Sequence, residues 1–212
     1  MTFTSLQDDL RNYAERGSST FDETVSDQLP RIVNITERRM ARELKIQGFI
    51  RAVTSAFVIS TAVYQKPDRW RETISMNFGS GSGNNTRGFL RELSYEAATV
   101  YWPTRDSTGT PRFYADYDYD HWLIVPTPAA ANPYEVVYWE LPPLLDDTNT
   151  QNWITDYAPN ALLHGCLEEL YGFLANPEKA AEWRQQYDRN MAALAGEDLQ
   201  KILDRYYQRR TS

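Results

Sequence analysis

"LPRIVNITERRMARELKIQGFIRAVTSAFVIST", residues 29–61, changes its hydrophobic period partway along. Through residue 44 the apolar positions are Leu29, Ile32, Val33, Thr36, Met40 and Leu44. These recur at three- and four-residue steps and so line one face of a helix. Arg38, Arg39 and Arg42 fall mostly on the other side, near the helix end, where positive charge is favoured. Pro30 is expected in the first turn of that helix, where a missing N–H costs little. From about residue 49 the pattern alternates instead. "AVTSAFVIST" is rich in β-branched and aromatic residues and predicts a strand.

Both periods persist on either side of the switch. Ser5 is the expected cap of a short N-terminal helix running to about Glu15. Beyond residue 61, "RETISMNF" (71–78), "TRGFLREL" (86–93) and "YEVVYWEL" (134–141) read as strands. Between the first two lies "GSGSGNN" (79–85), a flexible hairpin tip or a loop that orders against a neighbour. It lacks the spacing of a dinucleotide fingerprint, and no Gly-Lys-Ser/Thr follows it.

From about residue 148 helix returns. "APNALLHGCLEELYGFLA" (158–175) is apolar at Leu162, Leu163, Cys166, Leu167, Leu170, Phe173 and Leu174, close to a fully buried helix. "PEKAAEWRQQYDRNMAAL" (177–194) steps through Ala180, Trp183, Tyr187, Met191 and Leu194, a seam suited to a neighbouring helix. Gly196 is expected to break it before a last short helix, "EDLQKILDRYYQRR". The order helices, strands, helices predicts an α+β fold. Residues 1–48 and 148–212 would form a helical bundle from both chain ends, with an antiparallel β domain, 49–147, inserted between.

Composition narrows the function classes. A net charge of −7 argues against general nucleic-acid binding, which draws on clustered Lys and Arg. The single cysteine, Cys166, leaves no intramolecular disulfide, and the polar, acidic N-terminus has no apolar signal segment. No apolar run approaches the length of a membrane span. Fourteen Tyr and six Trp are many for this length, and their apolar bodies with polar tips suit interfaces.

"YADYDYDHW" (114–122) invites a metal-site reading. A calcium loop opening at Asp116 would need glycine at its sixth position and glutamate at its twelfth, where His121 and Thr127 stand. The stretch reads better as a hairpin turning near Asp118 to Asp120. In strand geometry Asp116, Asp118 and Asp120 would face one way, Tyr117 and Tyr119 the other, with "HWLIV" as core. His164 and Cys166 are two residues apart, about 200° around a helix, and cannot pair from that helix alone. Glu140, Asp146 and Asp147 could supply a carboxylate pair for glycoside hydrolysis, though "PPLLDDTNTQNW" reads more simply as a linker with capping residues. A tyrosine-rich carbohydrate-binding β module is a further alternative. No zinc spacing, nucleophile elbow or cofactor motif is present, so no enzyme chemistry is expected.

Four segments carry a resemblance: "LPRIVNITERRMARELKIQGF" (29–49), "YQKPDRWRETISMNFGSGSGNNTR" (64–87), "YADYDYDHWLIVPTPAAANPYEVVYWELPPLLDD" (114–147) and "NWITDYAPNALLHGCLEELYGFL" (152–174). In that order they resemble the head-to-tail adaptor proteins of tailed bacteriophages, especially short-tailed ones. The resemblance implies a structural virion protein of the neck, made in the host cytoplasm. It implies a ring, typically of about twelve copies, beneath the portal protein, extending the DNA channel and receiving tail nozzle or fibre proteins. Genomic DNA would pass through such a ring without specific binding. The resemblance also implies a portal-engaging C-terminal segment, here Leu199, Ile202, Leu203, Arg205, Tyr206, Tyr207, Arg209 and Arg210. Tyr117, Tyr119, Gly81, Gly83 and Asn84 are the expected contacts to a neighbouring copy or a tail protein. Neither cofactor nor membrane enters this reading.

Overall fold

The computed structural model describes residues 1–14, 23–44, 47–79 and 87–211, with side chains except at 47 and from 198 onward. The chain divides into two compact units, one of residues 1–49 and 141–212, the other Ile50–Glu140. The first is helical and the second is built around a sheet, an α+β fold.

In the helical unit, α1 (Phe3–Tyr13) buries Phe3, Leu6 and Leu10. Its cap is Thr2 rather than Ser5. The Thr2 hydroxyl accepts from the Ser5 N–H at 3.2 Å, and the Ser5 hydroxyl accepts from the Thr2 N–H at 2.9 Å. This reciprocal box leaves Ser5 in the first turn. Helix α2 (Glu23–Glu43) carries the expected face and extends it back to Val25, so Pro30 lies inside the helix. Burying Val25 one turn before Leu29 lengthens the apolar stripe, and that offsets the N–H missing at Pro30.

Helix α4 (Trp153–Tyr157) is capped by Asn152, and α5 (Pro159–Phe173) buries nearly every face. Phe173 departs from the expected pattern, standing half exposed at the end of α5. The turn after α5 closes as a Schellman motif. Asn176 N–H donates to the Tyr171 carbonyl and Ala175 N–H to that of Gly172, with Ala175 at φ 54°. Asn176 then caps α6 (Pro177–Thr211) by accepting from the Lys179 N–H. Helix α6 runs unbroken through Gly196, contrary to the expected break. One exposed interior glycine costs only about 1 kcal/mol relative to alanine, too little to stop an established helix.

Helix α5 packs against α1, α2, α4 and α6. Close approach is possible because position 165 is glycine: a Cβ there would lie 2.6 Å from Thr36 Cγ2 and 3.0 Å from the Tyr187 ring. Gly165→Ala is therefore expected to destabilise by about 1–2 kcal/mol, because overpacking of about 1–3 kcal/mol exceeds the propensity gained. Thermal melts beside the exposed control Gly196→Ala, which meets nothing within 4 Å, check this. A Gly165→Ala variant as stable as wild type would reject the close packing.

The second unit holds a seven-stranded sheet of order β1-β9-β3-β4-β6-β7-β2. The strands are β1 (Ile50–Ala56), β2 (Val63–Gln65), β3 (Trp70–Phe78), β4 (Gly88–Glu92), β6 (Phe113–Asp116), β7 (His121–Val125) and β9 (Pro133–Glu140). All neighbours are antiparallel except β4 and β6, and a small parallel pair, β5 (Thr108–Gly109) and β8 (Thr127–Pro128), stands apart. One core is aromatic: Phe57, Tyr64, Tyr114, Trp122, Tyr134 and Tyr138 surround Met76, Leu90, Ile124 and Val136. A smaller one places Ala115, Leu123 and Val125 with Ala98 of α3 (Tyr95–Tyr101). Helix α3 interrupts a region expected to be all strand. Ser94 caps it, accepting from the Ala97 N–H at 3.2 Å. Among the described residues, no helix is long and apolar enough to cross a membrane.

Candidate assembly surfaces

The hairpin of β6 and β7 settles the reading of "YADYDYDHW". Strand β6 stops at Asp116, so residues 117–120 form the turn and strict alternation of faces ends there. Asp116 pairs with Lys66 at 2.9 Å, and the Lys66 ammonium also donates to the Asp118 carbonyl and lies 3.8 Å from the Trp70 ring centroid. The Asp118 carboxylate accepts from the Asp120 N–H at 2.8 Å and lies 2.8 Å from His121 Nδ1. These carboxylates are spent on holding the turn. No group of three or more His, Cys, Asp or Glu among the described residues is arranged to hold a metal ion.

What the turn presents outward is tyrosine. Tyr119 is 77% exposed and Tyr117 40%. The Tyr117 ring is steadied by Tyr95, 5.8 Å between centroids, and by the Arg105 guanidinium 5.0 Å away. Asp120 is exposed beside Tyr119. The other expected contact residues, Gly81, Gly83 and Asn84, lie outside the described residues.

At the opposite end of the same hairpin is a cleft of about 310 Å³ between the ends of β3, β4 and β6. Phe78, Phe89, Pro111 and Phe113 form its apolar walls, with Arg91 and Arg112 at the rim. Phe89 is 70% exposed, and both arginines are exposed without an ion pair among the described residues. This cleft escaped the sequence reading. Arg91 and Phe113 are far apart along the chain and meet only because β4 and β6 pair in parallel. Strand β1, at the sheet edge, is exposed along most of its length.

Of the candidate catalytic carboxylates, Glu140 and Asp146 are held in structural roles, and Asp147 is exposed. Glu140 is clasped by Arg51 at 2.9 Å and Arg69 at 2.6 Å. Asp146 accepts from the Thr148 hydroxyl and from the Thr148 and Asn149 N–H groups, a turn whose hydrogen bonds hold its carboxyl below the usual range. Burial lowers the His164 pKa, and its Nδ1 lies 2.8 Å from the Asn190 amide nitrogen, so the neutral ring accepts there. Burial pushes the Cys166 thiol up to about 12, which leaves it unreactive at neutral pH.

In the helical unit the α6 seam lies on α5 as expected, though unevenly. Tyr187 and Met191 are buried, and Trp183 is half-buried against His164 and Tyr13. The Tyr187 hydroxyl donates to Glu43 at 2.6 Å, and the Arg39 guanidinium lies 4.3 Å from its ring centroid. Arg39 in turn bonds Glu168 at 2.8 Å and Glu43 at 3.0 Å. The candidate portal-binding residues Leu199, Ile202, Leu203, Arg205, Tyr206, Tyr207, Arg209 and Arg210 lie on the helical backbone of α6, and their side chains are outside the described part.

No curated protein shows a significant match to the chain. Residues 1–211 match the family described as SU10 adaptor protein. A match over essentially the whole length places this protein in that family of phage head-tail adaptors.

Proposed function

We propose that this structural adaptor forms a ring that joins the portal to the tail and extends the DNA channel. The observation that carries the reading is the family match from residue 1 to residue 211. Physical chemistry supports it. A net charge of −7 suits a passage through which DNA slides without being gripped, since negative lining repels phosphate. Exposed Tyr117 and Tyr119 suit contact with a neighbouring copy or a nozzle or fibre protein, as do Gly81, Gly83 and Asn84. The protein acts in the virion neck, in about twelve copies, after synthesis in the host cytoplasm. It is not an enzyme. The engagement of Glu140 and Asp146 in ion pairs and turn hydrogen bonds supports that reading.

Portal engagement falls to the end of α6. At 1.5 Å per residue, its 35 residues span about 52 Å, against about 22 Å for the 15 of α5. The surplus length carries Leu199, Ile202, Leu203, Tyr206 and Tyr207 at helical spacing, with Arg205, Arg209 and Arg210 interleaved. Aromatic and arginine side chains are those favoured at interface centres. Removing residues 197–212 is expected to leave a folded protein that no longer co-sediments with portal-bearing capsids. Unimpaired attachment of that truncation would move the portal contact elsewhere.

A further inference from the structure

We infer that the tyrosine turn of one copy, Tyr119 with Asp120, docks into the arginine-rimmed aromatic cleft of the next copy. This rests on the reading that the chain assembles with itself, and it names the two surfaces that meet. Strand β6 runs from Phe113 at the cleft to Asp116 at the turn, antiparallel to β7, so the two patches sit at opposite ends of one short hairpin. A head-to-tail contact that closes into a ring needs two different patches on opposite sides of a subunit.

Their chemistry is complementary. Asp116 is paired with Lys66, and the Asp118 carboxylate is hydrogen-bonded within the turn to the Asp120 N–H and His121 Nδ1, which leaves Asp120 as the carboxylate at the tip with no partner among the described residues. Across the contact, Arg91 and Arg112 are exposed cations without a carboxylate partner in their own chain's described residues. An acidic chain gains little from leaving two arginines beside an exposed phenylalanine. Facing an acidic aromatic segment, they acquire charge-assisted hydrogen bonds and an aromatic ring to stack on. The cleft, about 310 Å³, is at the small end of ligand-sized pockets. Phe78, Phe89, Pro111 and Phe113 offer an arriving tyrosine ring apolar and edge-to-face contacts, while its hydroxyl reaches the polar rim. Lys66 and the Asp118 bonds preorganise the turn, so little conformational entropy is lost on docking.

A charge exchange between two variants tests this. One carries Arg91→Glu with Arg112→Glu, the other Asp120→Arg, and self-association is followed by sedimentation velocity. All three positions are exposed, so both variants should melt as wild type does. Each alone is expected to self-associate at least 10-fold more weakly than wild type. An equimolar mixture should recover wild-type assembly, because copies of the two kinds can alternate with every turn meeting a complementary cleft. A second measurement does not depend on the charges: Tyr119→Cys mixed with Phe89→Cys should give disulfide-linked dimers under mild oxidant, with neither variant alone doing so. Cys166 is fully buried and leaves no background. Variants that assemble as wild type does, or a mixture that fails to recover, overturn the docking while leaving ring formation intact. A wild-type chain that stays monomeric at every concentration and on the portal overturns both.

Discussion

Trp122→Ala is expected to cost about 4 kcal/mol, within the range for removing a buried tryptophan, and to unfold a large share of the β unit. Trp122 is 1% exposed in the aromatic core. Its indole N–H donates to the Thr73 hydroxyl at 3.2 Å, and the same oxygen accepts from the Trp70 indole at 3.1 Å. The two indole rings meet at 90°, 6.3 Å between centroids. Truncation removes the largest fully buried side chain of the unit and one of these two bonds, and the surrounding rings cannot collapse into the space. Against a total stability of about 5–15 kcal/mol for a typical domain, this is a large fraction. Urea unfolding followed by tryptophan fluorescence and circular dichroism checks it. Trp122→Phe, which keeps a ring but loses the N–H, should fall between. A loss under about 1 kcal/mol for Trp122→Ala would mean the core is loosely packed.

Glu37→Ala should cost about 3 kcal/mol in the helical unit, since it strips a buried acceptor from two donors at once. Glu37 is fully buried on α2. One carboxylate oxygen accepts from the Leu145 N–H at 2.9 Å, the other from the Asn152 amide at 2.5 Å. Asn152 in turn caps α4 by accepting from the Ile154 and Thr155 N–H groups and donates to the Pro143 carbonyl. One carboxylate thus ties helix α2 to the segment 141–152 and the helix that follows. Asn152 keeps its Pro143 partner after the substitution, but the Leu145 N–H is left without one.

The same residue sets a pH dependence. Burial raises the Glu37 pKa, and the hydrogen bonds from Leu145 and Asn152 offset this only in part. Above the ordinary glutamate range, then, the folded protein still holds a proton that the unfolded chain has released. The unfolded state binds fewer protons across that window, so stability falls as pH rises from the ordinary value through the raised one. The stability difference between wild type and Glu37→Ala should accordingly be larger at mildly acidic pH than at neutral pH. Denaturant titrations of both proteins across that window read it directly. A difference that grows with pH would mean Glu37 is ionised throughout.

The α+β order was legible in residues 29–61 because burying one face of an element imposes its period on the sequence: Leu29 to Leu44 at helical steps, then alternation. The β6–β7 hairpin and its buried "HWLIV" were legible for the same reason. Features carried by only one or two buried residues were not. Helix α3 buries only Ala98, so no stripe announces it. Pro30 and Gly196 are local signals of about 3 and 1 kcal/mol at most, and each is overridden where packing or helix cooperativity is worth more. Side-chain partnerships lay beyond the sequence altogether. Lys66 reaches Asp118 across 52 residues, Glu37 reaches Leu145 across 108, and Arg51 from β1 and Arg69 from the turn before β3 converge on Glu140. The same holds for the cleft of Phe89, Arg91, Arg112 and Phe113, which exists only where two distant strands pair. Periodicity is written residue by residue because it answers to burial. Which charge meets which carboxylate, and which aromatics share a cleft, depends on strand order and helix contact, and these arise only when the whole chain packs.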